Sequence, residues 1–346
     1  YSQYTDYKCT NTPAGRDLVR EFVDAFRAEG IHIGFYYSLI DWHHPDFTID
    51  VNHPRRDDPD AKQQNEGRDM RRYAEYMRNQ VRELLTNYGK IDIMWFDFSY
   101  SQRHGEGDKA WLGGKGKDDW ESEKLLELAR SLQPGIIIDN RTEIEQDIWT
   151  PEQFQPTDWF RHPKTGELVV WEACQTLSGS WGYYRDEYTW KSPEMLLRML
   201  ISTVANGGNL IMNVGPTARG YLDYRAEEAL KVYADWMKYN SRSIYGCTKA
   251  EPEFKTPTDC RLTQSEDGKR LYIHLFAYPF DNFKVEGLAG HVEYAQFLHD
   301  GSEVNRLNES IRMAATLITI APLIALYIAL QKQFVESIEK TGITGE

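Results

Sequence analysis

The sequence predicts an α/β fold with parallel strands, a small β-domain after it and an apolar helix at the C-terminal end. Three observations carry this. Short apolar runs alternate with amphipathic stretches up to about residue 245. Beyond that point Pro and Thr enter, and strand-like runs follow one another without helices between them. Residues 313–330 are almost wholly apolar.

Residues 17–29 place Leu18, Phe22 and Phe26 on one helical face, with Gly30 as the stop. Residues 31–38 read as a strand. Residues 66–88 form a long amphipathic helix with Met70, Tyr73, Met77, Val81, Leu84, Leu85 and Tyr88 inward, ended by Gly89. Residues 91–99 are the next strand, 119–132 a helix stopped by Pro134-Gly135, and 135–141 and 169–174 two further strands. Ser192-Pro193 is an N-cap followed by Pro at the first helical position, opening a helix to about Asn206. Residues 209–214 are a strand and 225–239 a helix. Roughly five strands thus sit in βα order, where a closed (β/α)8 barrel needs eight. The parallel part therefore reads as a partial (β/α)8-like barrel over residues 1–244. Residues 245–303, with β-like runs at 270–277 and 293–298, read as an incomplete β-sandwich. Residues 304–346 hold the apolar helix. Its length approaches the ~20 residues of a membrane span, and Pro322 is compatible with that. Membrane contact and burial in a core both remain open for it.

Composition excludes some partners. Of 346 residues, 40 are basic and 53 acidic, a net charge of −13. Nucleic acid needs basic patches, so it is excluded, whereas a neutral sugar is not. Aromatic residues make up 13%, suited to sugar platforms or to a large core. Cys9, Cys174, Cys247 and Cys260 are scattered, without the spacing of a zinc site or a disulfide framework. No signal peptide is legible, which favours a cytoplasmic chain, and oligomeric state leaves no trace in the sequence.

The chemistry gathers at strand ends. The run Ile91-Asp92-Ile93-Met94-Trp95-Phe96-Asp97 is a buried strand ending on a carboxylate, placed where an α/β barrel does its chemistry. The alternative for Asp97 is a turn cap. Tyr36-Tyr37-Ser38, Asn140-Arg141, Trp171-Glu172 and Asn213 end the other strands; Glu143, Glu145, Asp147 and Glu152 follow the third. Two carboxylates flanking one bond suffice for glycoside hydrolysis, and an arginine beside Asp97 would hold sugar hydroxyls or the carboxylate. Asp41, His43 and His44 offer metal ligands without a metal-site spacing, and read as a loop rim. The glycine-rich residues 105–116 lack a phosphate-loop pattern and read as a flexible, charged active-site loop. No cofactor and no metal is expected.

Many short motifs in one order resemble the α-L-fucosidases of glycoside hydrolase family 29. They are Tyr4–Tyr7, Arg16-Asp17-Leu18-Val19, Gly34–Ser38, Trp95-Phe96-Asp97, Asn140-Arg141, Trp149–Glu152, Trp171-Glu172, Ser180–Tyr183 and residues 207–216. The resemblance implies a retaining exo-fucosidase on a (β/α)8-like barrel with a C-terminal β-sandwich, acting on a fucosylated glycan. By motif matching, Asp97 is the nucleophile and Glu152 the acid/base, with Glu172 as the alternative acid/base or a structural ion-pair partner. Tyr36, Trp95 and Arg141 would line the fucose pocket, with plain barrel core as the lesser alternative for Tyr36 and Trp95. Trp181 would pack near the sugar's C5 methyl. The family carries a His-His-Asp-Gly-Phe strand end ahead of these motifs, and this sequence starts beyond it. The barrel is therefore expected to lack its first strands. Residues 310–345 resemble the C-terminus of sugar ABC-transporter permeases. The sequence thus also allows an inactive fragment, or a fusion of a fucosidase with a permease tail.

Overall fold

The computed structural model describes residues 1–279, 283–288 and 292–304. The chain divides into two compact units, Tyr1–Thr150 and Pro151–Glu346.

In the first unit, β1 (Gly34–Ser38), β2 (Ile93–Asp97) and β3 (Ile137–Ile138) form a parallel sheet in the order β1-β2-β3. The register sets Tyr36 opposite Trp95 and Ser38 opposite Asp97. Helix α1 (Leu18–Ala28) starts where Asp17 accepts a hydrogen bond from the Arg20 N–H at 3.1 Å. It ends at Gly30, whose φ of +73° suits the residue without a Cβ. A short helix α2 (Ala61–Gln64) precedes α3 (Met70–Asn87). The latter begins four residues later than its periodicity predicts, because Gly67 turns left-handed (φ +84°) and Asp69 caps the Arg71 N–H at 2.8 Å. Helix α4 (Ser122–Leu132) follows β2. The strands, the apolar faces of α3 and α4, and Val19 and Val23 of α1 close one core, in which Val23, Met77, Val81, Met94, Phe96, Leu125 and Ile138 are fully buried, while the Leu18, Phe22 and Phe26 face of α1 stays exposed. Each such side chain contributes about 1.5–3 kcal/mol by leaving water.

A buried ion pair ties two loops of this unit together. The Lys115 ammonium lies 3.1 Å from the Asp50 carboxylate and 2.8 Å from the Thr48 hydroxyl. The Tyr100 hydroxyl donates to Asp50 at 2.7 Å, and the Asn52 and His53 N–H groups donate to its other oxygen at 2.9 Å.

In the second unit, β4 (Glu172–Thr176) and β5 (Asn209–Asn213) pair in parallel. Helix α5 (Pro193–Ala205) joins them, opened by Ser192, whose hydroxyl accepts from the Met195 N–H at 3.2 Å, and by Pro193, which has no N–H to leave unpaired. A Cβ at Gly208 would stand 2.3 Å from the Trp171 indole, so only glycine lets β5 start beside β4. Helix α6 (Tyr224–Asn240) leads into β6 (Cys247–Lys249), β7 (Cys260–Ser265) and β8 (Leu271–Leu275), an antiparallel sheet in that order. Cys260, Leu262, Ile273, Leu275, Val285 and Leu288 fill its core.

The alternation of strands and helices thus stands as expected, with five parallel strands and a β-rich C-terminal part among the described residues. The strands are shorter than their apolar runs, most of all β3. Strands β6 and β7 escape a search for apolar runs because Thr, Arg and Gln interrupt them. The apolar run 313–330 and the permease-like residues 310–345 lie outside the described residues. Among the described residues, no helix is long and apolar enough to cross a membrane.

Candidate active site

Three strands of the first unit deliver one polar cluster at their C-terminal ends. Asp97 is the last residue of β2. Its Oδ2 accepts a hydrogen bond from the Tyr36 hydroxyl on β1 at 2.8 Å, and its Oδ1 one from Arg141 Nη1, beyond β3, at 2.9 Å. Both oxygens are therefore engaged by side chains of neighbouring strands, rather than by the turn that follows. That turn is itself unusual. Phe98 sits at φ +79°, a left-handed conformation that costs a bulky residue about 1–2 kcal/mol.

Arg141 is fixed from several sides. Its Nε donates to the Thr150 hydroxyl at 2.8 Å and its Nη2 to the Thr150 carbonyl at 3.2 Å. Its guanidinium lies 4.3 Å from the Trp95 ring centre, a cation–π contact. The Tyr36 and Trp95 rings stack with centroids 5.6 Å apart. Trp95 is buried, while Tyr36 is 57% exposed. Asp97, Ser99, Asn140, Arg141 and Glu143 line an open hollow of ≈ 300 Å³, at the small end of the volumes of small-molecule sites. Glu143, itself left-handed at φ +59°, accepts from the N–H groups of Ser101 (3.2 Å) and Lys117 (3.1 Å), and so closes the base of the glycine-rich loop.

Asp139 is a residue that sequence reasoning missed. It is fully buried beneath the cluster, and its Oδ1 accepts the Phe96 N–H at 3.1 Å. Its Oδ2 has no hydrogen-bond partner. Burial drives its pKa up to about 7; the Phe96 N–H and the Arg141 charge pull it down, and the Asp97 charge pushes it further up. The signal was present, since Asp139 ends an isoleucine run just as Asp97 ends its own strand.

The remaining residues lie in the second unit. Glu152 forms a parallel bridge opposite Cys174 of β4 and is exposed. The Gln153 N–H to Cys174 carbonyl bond (3.0 Å) and the Cys174 N–H to Pro151 carbonyl bond (2.8 Å) hold that segment along the strand. Glu172 opens β4, at the end where the strand begins. Trp181 follows β4 and is 40% exposed, its carbonyl accepting from Asn213 Nδ2 at 2.6 Å. The structure thus brings Asp97, Tyr36, Trp95 and Arg141 together in one unit, and sets Glu152, Glu172 and Trp181 in the other. Among the described residues, no group of His, Cys, Asp and Glu is arranged to hold a metal ion.

Fold and site together define an α/β protein whose polar residues converge at the C-terminal ends of parallel strands, the arrangement of many hydrolases. Comparison with known proteins narrows the class. The family model for Alpha-L-fucosidase matches residues 1–242, and the chain belongs to that family. α-L-Fucosidase isoenzyme 1 from Paenibacillus thiaminolyticus is 41% identical, with a TM-score of 0.79 over 88% of this chain and 71% of that one. The plasma α-L-fucosidase of Homo sapiens is 29% identical over 76% of this chain and 52% of its own length. The α-L-fucosidase of Dictyostelium discoideum is 24% identical over 82% and 57% respectively. An α-L-fucosidase of Bacteroides thetaiotaomicron shares the fold with a TM-score of 0.73. The chain spans about half the length of the curated relatives it matches.

Proposed function

We propose that the parent protein is a retaining exo-α-L-fucosidase that removes terminal α-L-fucose from oligosaccharides or glycoconjugates. The observation that carries this is Asp97, a carboxylate at the end of β2 held by the Tyr36 hydroxyl and the Arg141 guanidinium at the edge of an open hollow. Asp97 attacks the anomeric carbon, and the bond to the leaving oxygen breaks as Glu152 protonates that oxygen. Glu152 then takes a proton from water, which attacks the glycosyl–Asp97 ester and frees fucose with the anomeric configuration retained. The Bacteroides thetaiotaomicron relative captured as a covalent intermediate supports double displacement. Glu152 is preferred to Glu172 because it lies further toward the C-terminal end of β4. Tyr36, Trp95 and Arg141 are assigned to the fucose pocket, and Trp181 to the face near its C5 methyl. Residues 1–244 are assigned to the catalytic (β/α)8-like barrel, 245–303 to the β-sandwich and 304–346 to the permease-like segment.

The test uses Asp97→Ala and Asp97→Gly in the complete enzyme with an aryl α-L-fucoside. Turnover should vanish and return in part with azide, which replaces the missing nucleophile. Unchanged turnover in either variant would remove Asp97 from the mechanism.

A second reading also has an observation behind it. Among the described residues, the sheet order leaves β1 at an edge, and Leu18, Phe22 and Phe26 on α1 are each more than 40% exposed. A free edge and an uncovered apolar face suit a chain that is inactive on its own. Aryl-fucoside turnover by the purified 346-residue chain would overturn this reading.

A further inference from the structure

Three ionisable side chains of the first unit act on one another at the end of β2: Asp97, Arg141 and Asp139. Asp97 accepts from Arg141 Nη1 at 2.9 Å, and Asp139 stands two positions before Arg141 in the chain. Asp139 is also tied to the nucleophile's own strand. Its Oδ1 accepts the N–H of Phe96, the neighbour of Asp97, at 3.1 Å. The mount is rigid. Asp139 forms a parallel bridge with Ile148, Ile138 pairs with Met94 of β2, and Asp139, Phe96, Met94 and Ile138 are all fully buried.

The Oδ2 of Asp139 has no hydrogen-bond partner. A carboxylate there would leave a charged oxygen bare in the protein interior, whereas an acid leaves only a hydroxyl. Among the described residues, the charges facing Asp139 from neighbouring elements are the Asp97 anion at the end of β2 and the Arg141 cation beyond β3. Asp147, on the segment bridged to it, is taken up by the Ile138 N–H at 2.7 Å and by Arg130. While Asp97 is ionised, Arg141 has its anion, and burial and the Asp97 charge together oppose a second negative charge on Asp139. The coupling is reciprocal, so removing the Asp97 charge eases the ionisation of Asp139 by the same amount.

We propose that Asp139 is a positioning residue that keeps an anion beside Arg141 throughout the reaction: it is a neutral acid while Asp97 is a carboxylate, and a carboxylate while Asp97 is an ester. The proposal rests on the reading of Asp97 as nucleophile and deepens it by naming what regulates the charge of that site. In the first half-reaction an Asp97 oxygen bonds to the anomeric carbon as the bond to the leaving oxygen breaks, and that oxygen takes its proton from Glu152 as above. The Asp139 O–H bond then breaks; its electron pair stays on the carboxylate and its proton passes to water. In the second half-reaction Asp97 leaves the sugar with its negative charge, and Asp139 takes a proton back from water. Within this trio one cation faces one anion at each stage, so neither a buried cation nor a buried anion is left uncompensated.

The test follows the carboxyl carbons of ¹³C-labelled aspartate by NMR across a pH titration of the full chain; the resonance missing from Asp139→Asn belongs to Asp139. Asp97→Asn removes the neighbouring anion and keeps the shape of the side chain. The Asp139 midpoint, about 7 beside ionised Asp97, should fall by on the order of one unit in Asp97→Asn, the scale of a single nearby charge. An unmoved or raised midpoint would overturn the proposal and leave the fucosidase reading intact, because no substrate enters that measurement. The complete enzyme is then treated with 2-fluoro-fucosyl fluoride, the reagent used on the Bacteroides thetaiotaomicron relative. At pH 7 Asp139 should pass from about half to about nine-tenths ionised as the adduct forms. An Asp139 that keeps its proton in the adduct would overturn the proposal. Failure to form an adduct would overturn Asp97 as nucleophile, and with it the role given to Asp139.

Discussion

Replacing Asp139 with Asn should remove a pH dependence that the buried carboxyl imposes on stability. Asp139 has an ordinary pKa of 3.8 in the unfolded chain and about 7 in the folded one. At about 1.4 kcal/mol per unit, those roughly three units amount to about 4 kcal/mol. The raised folded pKa fixes the sign. The native state keeps a proton that the unfolded chain releases. The stabilisation is complete below about 3.8 and is lost as pH rises through about 7. Linkage places roughly 2.5 kcal/mol of this loss between pH 5 and pH 8. Asn cannot ionise. Its carbonyl keeps the Phe96 N–H bond, while its amide brings donors to the place of the unpartnered Oδ2, at a cost of about 1–3 kcal/mol. Asp139→Asn should therefore gain on the wild type by about 2.5 kcal/mol between pH 5 and pH 8. Urea titrations followed by tryptophan fluorescence at several pH values measure the difference. A constant difference from pH 5 to pH 8 would show that Asp139 titrates as an exposed carboxyl, and the burial argument would fall.

Other substitutions read other parts of the structure. Tyr36→Phe removes the donor at 2.8 Å from Asp97 Oδ2 and should lower kcat/KM for an aryl fucoside at least tenfold, from the ~1.5–3 kcal/mol of a bond to a charged group; equal activity would detach Tyr36 from the site. Lys115→Met strands the buried Asp50 carboxylate and should cost about 3–5 kcal/mol in denaturant titration. Adding Asp50→Asn should recover part of that loss, and additive losses would count against the pair. Asp17→Ala removes the cap on α1 and should lower stability by about 1 kcal/mol, visible as a fall in Tm.

Much of this architecture is local, and so readable in the sequence. Ser192-Pro193 announces α5 because a cap and a donor-free first residue are chemical properties of two adjacent side chains. The runs around Met94 and Ile138 announce strands because a parallel sheet buries both faces. Asp97 stands out because it ends such a run. What escaped reading depends on partners distant in the chain. Lys115 looks like one charge in a glycine-rich loop until Asp50, 65 positions earlier, is beside it. Asp139 looks like an ordinary strand-end acid until it is seen fully buried with the Phe96 N–H, 43 positions earlier, donating to it. Strand β7 buries Thr263 and Gln264, which an apolar search passes over.

The left-handed backbone at Phe98 restricts what selection can place beside Asp97. A library randomised at position 98 and screened for folded protein should return Gly, Asn and Asp, which enter that conformation readily. It should be depleted in Val, Ile and Pro, because branching at Cβ or a ring that locks φ near −65° opposes it. The residue after the carboxylate is thus under pressure from geometry alone, and sequence preference at this position would arise even with no contact to a sugar.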